Sequence, residues 1–136
     1  MLPKKKIEGL VEYWIENSKR KFKSMEQLYE GKSYPDALYY GHMILEMALK
    51  ACVVMKTGEQ APYKHNLKYL AQLADLNFDE KDMEFLGEVN DFNMEARYPE
   101  EKMDFFKKCT KTYTDRFYKP IISLHEKLCQ KATLRK

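Results

Sequence analysis

Between Ala37 and Val54 the chain carries an almost continuous apolar run. It comprises Ala37, Leu38, Met43, Ile44, Leu45, Met47, Ala48, Leu49, Ala51, Val53 and Val54, with Glu46 and Lys50 as charges inside it. A helix with so little polar surface has no face to offer solvent, so it belongs at the centre of a helical assembly or at a subunit interface. The other apolar residues follow the same rule. Ile7, Leu10, Val11, Trp14, Ile15, Phe22, Met25, Leu28 and Tyr29 recur at intervals of three and four, which predicts one long helix from about Lys5 to Glu30, closed by Gly31.

Ser33 and Pro35 restart the chain, and Pro35 suits a first helical turn, where its missing N–H costs nothing. The apolar helix then runs to about Lys56. A loop from Thr57 to Lys64 leads to a short helix from about Asn66 to Ala74. Asp79 reads as an N-cap for a fourth helix reaching about Ala96, with Met83, Leu86, Val89 and Phe92 inward. Arg97-Tyr98-Pro99 breaks the chain, because the residue before a proline is pushed out of the α region. A last long helix is expected from Pro99 to about Lys131, with Met103, Phe106, Cys109, Tyr113, Phe117, Ile121, Leu124 and Leu128 on its core face and a kink or split at Pro120, near Tyr118. A charged tail, Lys131 to Lys136, follows. The expected fold class is all-α, an antiparallel up-and-down bundle of about five helices forming one domain over residues 1–136. Five glycines and five prolines in 136 residues argue against a turn-rich β protein.

The charge balance of 24 Lys and Arg against 21 Asp and Glu is too even to mark a nucleic-acid binder by composition. Lys4, Lys5, Lys6, Lys19, Arg20, Lys21 and Lys23 cluster towards one end, and Lys107, Lys108, Lys111, Arg116 and Lys119 towards the other. Solvated helix faces account for both clusters, with a phosphate-contacting stripe as the functional alternative. Cys52, Cys109 and Cys129 are odd in number and form no CxxC pair, which suits buried thiols in a reducing, cytoplasmic setting. No uninterrupted apolar run reaches the roughly 18 residues of a membrane span, so no membrane association is expected.

Phosphate-cradling glycine loops and nucleophile elbows are absent. His125-Glu126-Lys127-Leu128-Cys129 approaches a zinc helix but brings only two ligands, so no metal and no cofactor are expected. Three segments carry more. Glu46 and Lys50 lie four apart with the acid first, and His42 stands one turn before Glu46, so all three share a helix stripe. An ordinary salt bridge explains the pair; a polar stripe lining a groove or dimer seam is the functional reading. His65-Asn66-Leu67-Lys68-Tyr69-Leu70 puts a histidine at a helix start, where capping or packing is its commoner role. Arg97 stands at a helix break, with a planar guanidinium suited to phosphate or carboxylate. A salt bridge closing the turn is the plainer use of it.

In order and spacing, the A…H…ExxxKA helix around His42, Glu46 and Lys50, the HNLxxL segment at His65 and the ARYP break at Arg97 resemble the HEPN family, from about Trp14 to Leu128. The resemblance implies an antiparallel helical bundle that often dimerises. It also implies a frequent association with a minimal nucleotidyltransferase, encoded alongside or fused, in toxin–antitoxin-like pairs. Ribonuclease members carry a histidine a turn or more after the arginine; the corresponding positions here hold Lys102, Met103 and Asp104. None exchanges protons as imidazole does near neutral pH.

These residues lead to an expectation of no catalytic residue. The expected function is a non-catalytic module, a homodimer that contacts a nucleotide or RNA phosphate or a nucleotidyltransferase partner. Arg97 would hold the anion, Tyr98 would stack or hydrogen-bond beside it, and Glu46, Lys50 and His65 would shape the groove. The alternatives are a metal-independent ribonuclease toxin that recruits His65 or His42, and a structural helical adaptor without ligand.

Overall fold

The computed structural model describes residues 1–95 and 97–134, and every regular element among them is helical. The order is α1 (Lys4–Glu30), α2 (Tyr34–Thr57), α3 (Leu67–Leu73), α4 (Glu80–Asn90), α5 (Pro99–Lys108) and α6 (Lys111–Leu134). Ala96 of the ARYP segment, and Arg135 and Lys136 of the charged tail, lie outside the described residues.

A tight turn at Gly31–Ser33 folds α2 back along α1, with Ser33 N–H donating to the Leu28 carbonyl at 2.8 Å. At its far end α2 stops on Gly58, whose φ of 71° is left-handed and open to glycine without a Cβ clash. α6 runs antiparallel to α1, since its side chains meet those of α1 in reverse order: Tyr118 stacks on Tyr29 and His125 on Phe22, and His125 reaches Ser18. α2 packs against both α1 and α6, with α3 on its flank. Ala37, Leu38, Ile44, Leu45, Ala48, Leu49, Ala51 and Val54 have no exposed surface. By length and composition α2 alone among the described helices is apolar enough to cross a membrane, but 67% of its most apolar window is buried inside the bundle, as in a core helix. Of its two expected positions, it takes the central one. Gly41 sets the approach of α6: a Cβ there would lie 2.9 Å from Cδ1 of Ile121.

The second half departs from the expected boundaries. Asp79 caps α4 as anticipated, accepting from Asp82 N–H at 2.8 Å, but α4 ends at Asn90 and not near Ala96. There the Asn90 side chain turns back to the start of α3. Its Oδ1 accepts from Leu67 N–H at 2.8 Å and its Nδ2 donates to Asn66 Oδ1 at 3.0 Å. Phe92 follows in a turn, still buried.

The expected single last helix is two helices, and the break falls at Cys109 and Thr110, not at Pro120. Thr110 Oγ1 accepts from Tyr113 N–H at 3.2 Å, a side-chain cap that starts α6 afresh. Pro120 is exposed on the outer face and α6 continues through it. The break also shifts the register of α5. Phe105 is its buried residue, while Met103 and Phe106, expected inward, are 57% and 49% exposed.

Candidate functional site

The helical spacing of α2 sets His42, Glu46 and Lys50 one turn apart, and the segment before α3 lays His65 against them. Glu46 is the hub. Lys50 Nζ donates to its Oε2 at 3.1 Å, and His65 Nδ1 lies 3.0 Å from its Oε1. A carboxylate only accepts, so Nδ1 carries a proton, and in the neutral ring Nε2 keeps the lone pair. His65 is partly open, with a side-chain exposure of 41%. It therefore has the arrangement of a general base: an imidazole oriented by a carboxylate, with its free nitrogen on an accessible ring.

Lys50 is not the exposed member of a surface salt bridge. Only 4% of it is exposed, and its ammonium lies 5.2 Å from the Trp14 ring centre and 5.9 Å from that of Tyr63. Two aromatic faces and one carboxylate thus replace the water it loses. Trp14 comes from α1 and Tyr63 from the loop after α2. Neither was predicted as a site residue; Trp14 read as core and Tyr63 as loop.

His42 has a different role from His65. It is 1% exposed, and its Nε2 lies 3.2 Å from the His65 carbonyl, to which it donates. Burial lowers its pKa, against the opposing pull of Glu46. His42 is thus a neutral clamp that fixes the His65 backbone, too enclosed to meet a substrate.

Arg97 and Tyr98 form a second group at the start of α5. Arg97 Nη1 donates to Glu101 Oε2 at 3.1 Å and Nη2 to Asp91 Oδ1 at 3.5 Å, so the guanidinium is held at both ends of the turn. Its side chain is 34% exposed, whereas those of Asp91 and Glu101 are 77% and 47% exposed. Ion pairs in such surroundings are weak and exchange readily. Tyr98 is 76% exposed and has its ring available. The turn-closing salt bridge anticipated for Arg97 is present, and the side chain keeps part of its surface open to solvent.

The structure therefore unites Glu46, Lys50 and His65 and sets Arg97 and Tyr98 apart. Among the described residues no hydrogen bond or ion pair joins the two groups. Burial raises the pKa of Tyr39 of α2, and the charges of Glu95 and Glu46 raise it further. Among the described residues no group of three or more His, Cys, Asp or Glu side chains is arranged to hold a metal ion. Part of the second basic cluster is engaged by neighbours: Lys111 pairs with Asp115 at 2.7 Å, and the Arg116 guanidinium lies 5.3 Å from the Phe117 ring centre.

Compared with known proteins, the sequence matches the family model described as HEPN domain over residues 11–133. No curated protein and no solved structure gives a significant match.

Proposed function

The chain belongs to the HEPN domain family, nucleotide- and RNA-related helical modules, and from that premise we propose that it is a non-catalytic member which contacts a nucleotide or RNA phosphate through Arg97 and Tyr98. The observation that carries this reading is the Arg97 guanidinium. It is oriented by two weakly held, exposed carboxylates beside an exposed tyrosine ring, just before the first turn of a helix. A phosphate displaces one carboxylate and gains a planar, two-pronged donor. Tyr98 supplies a face on which a base stacks. Glu46, Lys50 and His65, which the fold sets apart from Arg97, are assigned no contact with the ligand. In this reading the protein is cytoplasmic and partners a minimal nucleotidyltransferase in a toxin–antitoxin-like pair. A homodimer belongs to the proposal through the family alone, because α2, the apolar helix that first suggested one, is covered within the chain.

A second reading, metal-independent ribonuclease, has one specific observation in its favour: the Glu46–His65 pair. His42 is excluded from that role by its burial, so His65 is the histidine that would have to act.

The two readings separate on a labelled single-stranded RNA. Wild type should bind it weakly, more weakly as salt rises, and leave it intact. Arg97→Ala should lose roughly tenfold in affinity, the worth of a charge-assisted contact, and Arg97→Lys should not restore it. His65→Ala should bind as wild type does. RNA cleavage that disappears in His65→Ala or Arg97→Ala would instead establish the ribonuclease.

A further inference from the structure

A groove of about 830 Å³ runs between α1 and α6, apart from the residues discussed above. Phe22 and Ile122 give it apolar walls, and Lys19 and Lys23 border it. Cys129 and the buried His125 also line it. Three polar atoms meet there. His125 Nε2 is 2.9 Å from Ser18 Oγ and 3.4 Å from Cys129 Sγ, and Ser18 Oγ is 4.0 Å from Cys129 Sγ.

The protons of this cluster can be assigned. Ser18 has one, which its Oγ donates to the Ile15 carbonyl at 2.8 Å. The remaining lone pairs of Oγ face His125, so Nε2 carries the ring proton and donates. The same N–H is in reach of Cys129 Sγ. Burial, helped by the charge of Lys19, holds the His125 pKa down at about 4, so the ring is a neutral donor at neutral pH. Burial raises the Cys129 pKa, and the Lys19 charge opposes the rise. The resting group is therefore the thiol. A thiolate forming there meets an N–H donor and the charge of Lys19, on a groove that Glu26 and Glu126 also line. Lys19 bears on both His125 and Cys129, which disfavours a cation between them and favours chemistry that develops negative charge. The other two thiols are closed off: Cys52 and Cys109 are buried, and burial pushes Cys109 up to about 12.

We propose that Cys129 is a covalent modification site for apolar α,β-unsaturated carbonyl compounds, gathered by the α1–α6 groove and captured by conjugate addition. The thiol gives its proton to water, and Sγ attacks the β-carbon. The new S–C bond forms as the C=C electron pair moves towards the carbonyl, giving an enolate. The enolate takes a proton at the α-carbon from water, so S–H adds across C=C with no leaving group and no redox change. His125 Nε2–H steadies the thiolate, Lys19 the developing enolate, and Phe22 and Ile122 hold the apolar chain.

The test treats the full-length protein near neutral pH with N-octylmaleimide and, separately, with hydroxyethylmaleimide, using glutathione as the reference thiol. Peptide mass mapping should place one adduct per chain on Cys129, and Cys129→Ser should abolish it. Relative to glutathione, the octyl compound should be favoured by roughly tenfold, about two methylenes' worth of burial. His125→Phe, which keeps a ring but loses the donor, should slow addition by about tenfold, and His125→Gln should recover most of the rate. Ile122→Asn, on the partly exposed wall, should erase the chain-length preference while leaving the thiol in place. Labelling shared with Cys52 or Cys109, a preference no larger than glutathione's, or a folded His125→Phe variant that reacts as fast as wild type each overturns the proposal.

Discussion

Glu46→Ala is expected to lower folding stability by about 3–5 kcal/mol, with a fall in melting temperature of about 10–20 °C. The reason lies with Lys50 more than with Glu46. The Lys50 side chain is 5% exposed, and among the described residues its ammonium has the Glu46 carboxylate as its single anionic partner, at 3.1 Å. Removing that carboxylate leaves a buried charge that the rings of Trp14 and Tyr63 only partly compensate. It also frees His65, whose Nδ1 depends on the same group. If this account is right, the loss belongs to the unpaired cation and is reversible by removing it. Glu46→Leu with Lys50→Met should therefore return close to wild-type stability, so a double-mutant cycle in urea should give a coupling of several kcal/mol. Additive single losses would show that the two side chains act separately.

Phe92→Ala should cost about 3–5 kcal/mol, the range for emptying an aromatic site in a packed interior. Phe92 is 1% exposed and lies at the centre of an aromatic group, 4.9 Å from the Phe117 ring centre, 5.6 Å from Phe105 and 6.4 Å from Tyr113. It lies in the turn after α4 and packs against both α5 and α6, so it fastens the segment that carries Asp91 and Arg97. Phe92→Leu should recover part of the loss and Phe92→Ala should raise amide hydrogen exchange first in α5, which has one buried side chain of its own. A denaturation midpoint within about 1 kcal/mol of wild type would mean that α5 is held by other contacts.

How much of this was legible in the sequence depends on the range of the interactions. The Glu46–Lys50 pair follows from spacing on a single helix, and the helical rise fixes it. The aromatic partners of Lys50 do not follow, because Trp14 and Tyr63 reach it only after α1 and the loop after α2 have packed. For the same reason, His125 and Cys129 were visible as a spacing but Ser18, 107 residues away from His125 in sequence, was not. The last helix was misdivided because proline is the strongest breaker a sequence displays. Pro120 sits on the outer face, and the break that forms relies on a weaker device, the hydroxyl of Thr110. Once the break moved, the faces of α5 moved with it, exposing Met103 and Phe106 and burying Phe105. For Arg97, the acids nearby in sequence were visible, but which of them would hold it was not. Glu101 lies one helical turn away, whereas Asp91 is brought in by the turn that Phe92 anchors.

The proposed phosphate contact is tested most directly by titrating a mononucleotide into the protein and following backbone amides by NMR. The account predicts weak, saturable shifts confined to the turn at Asp91, to Arg97 and Tyr98, and to the first turn of α5 through Glu101, and their loss in Arg97→Ala. Amides from Arg97 to Glu101 that stay fixed through the titration, or an Arg97→Ala variant that shifts as wild type does, would contradict it.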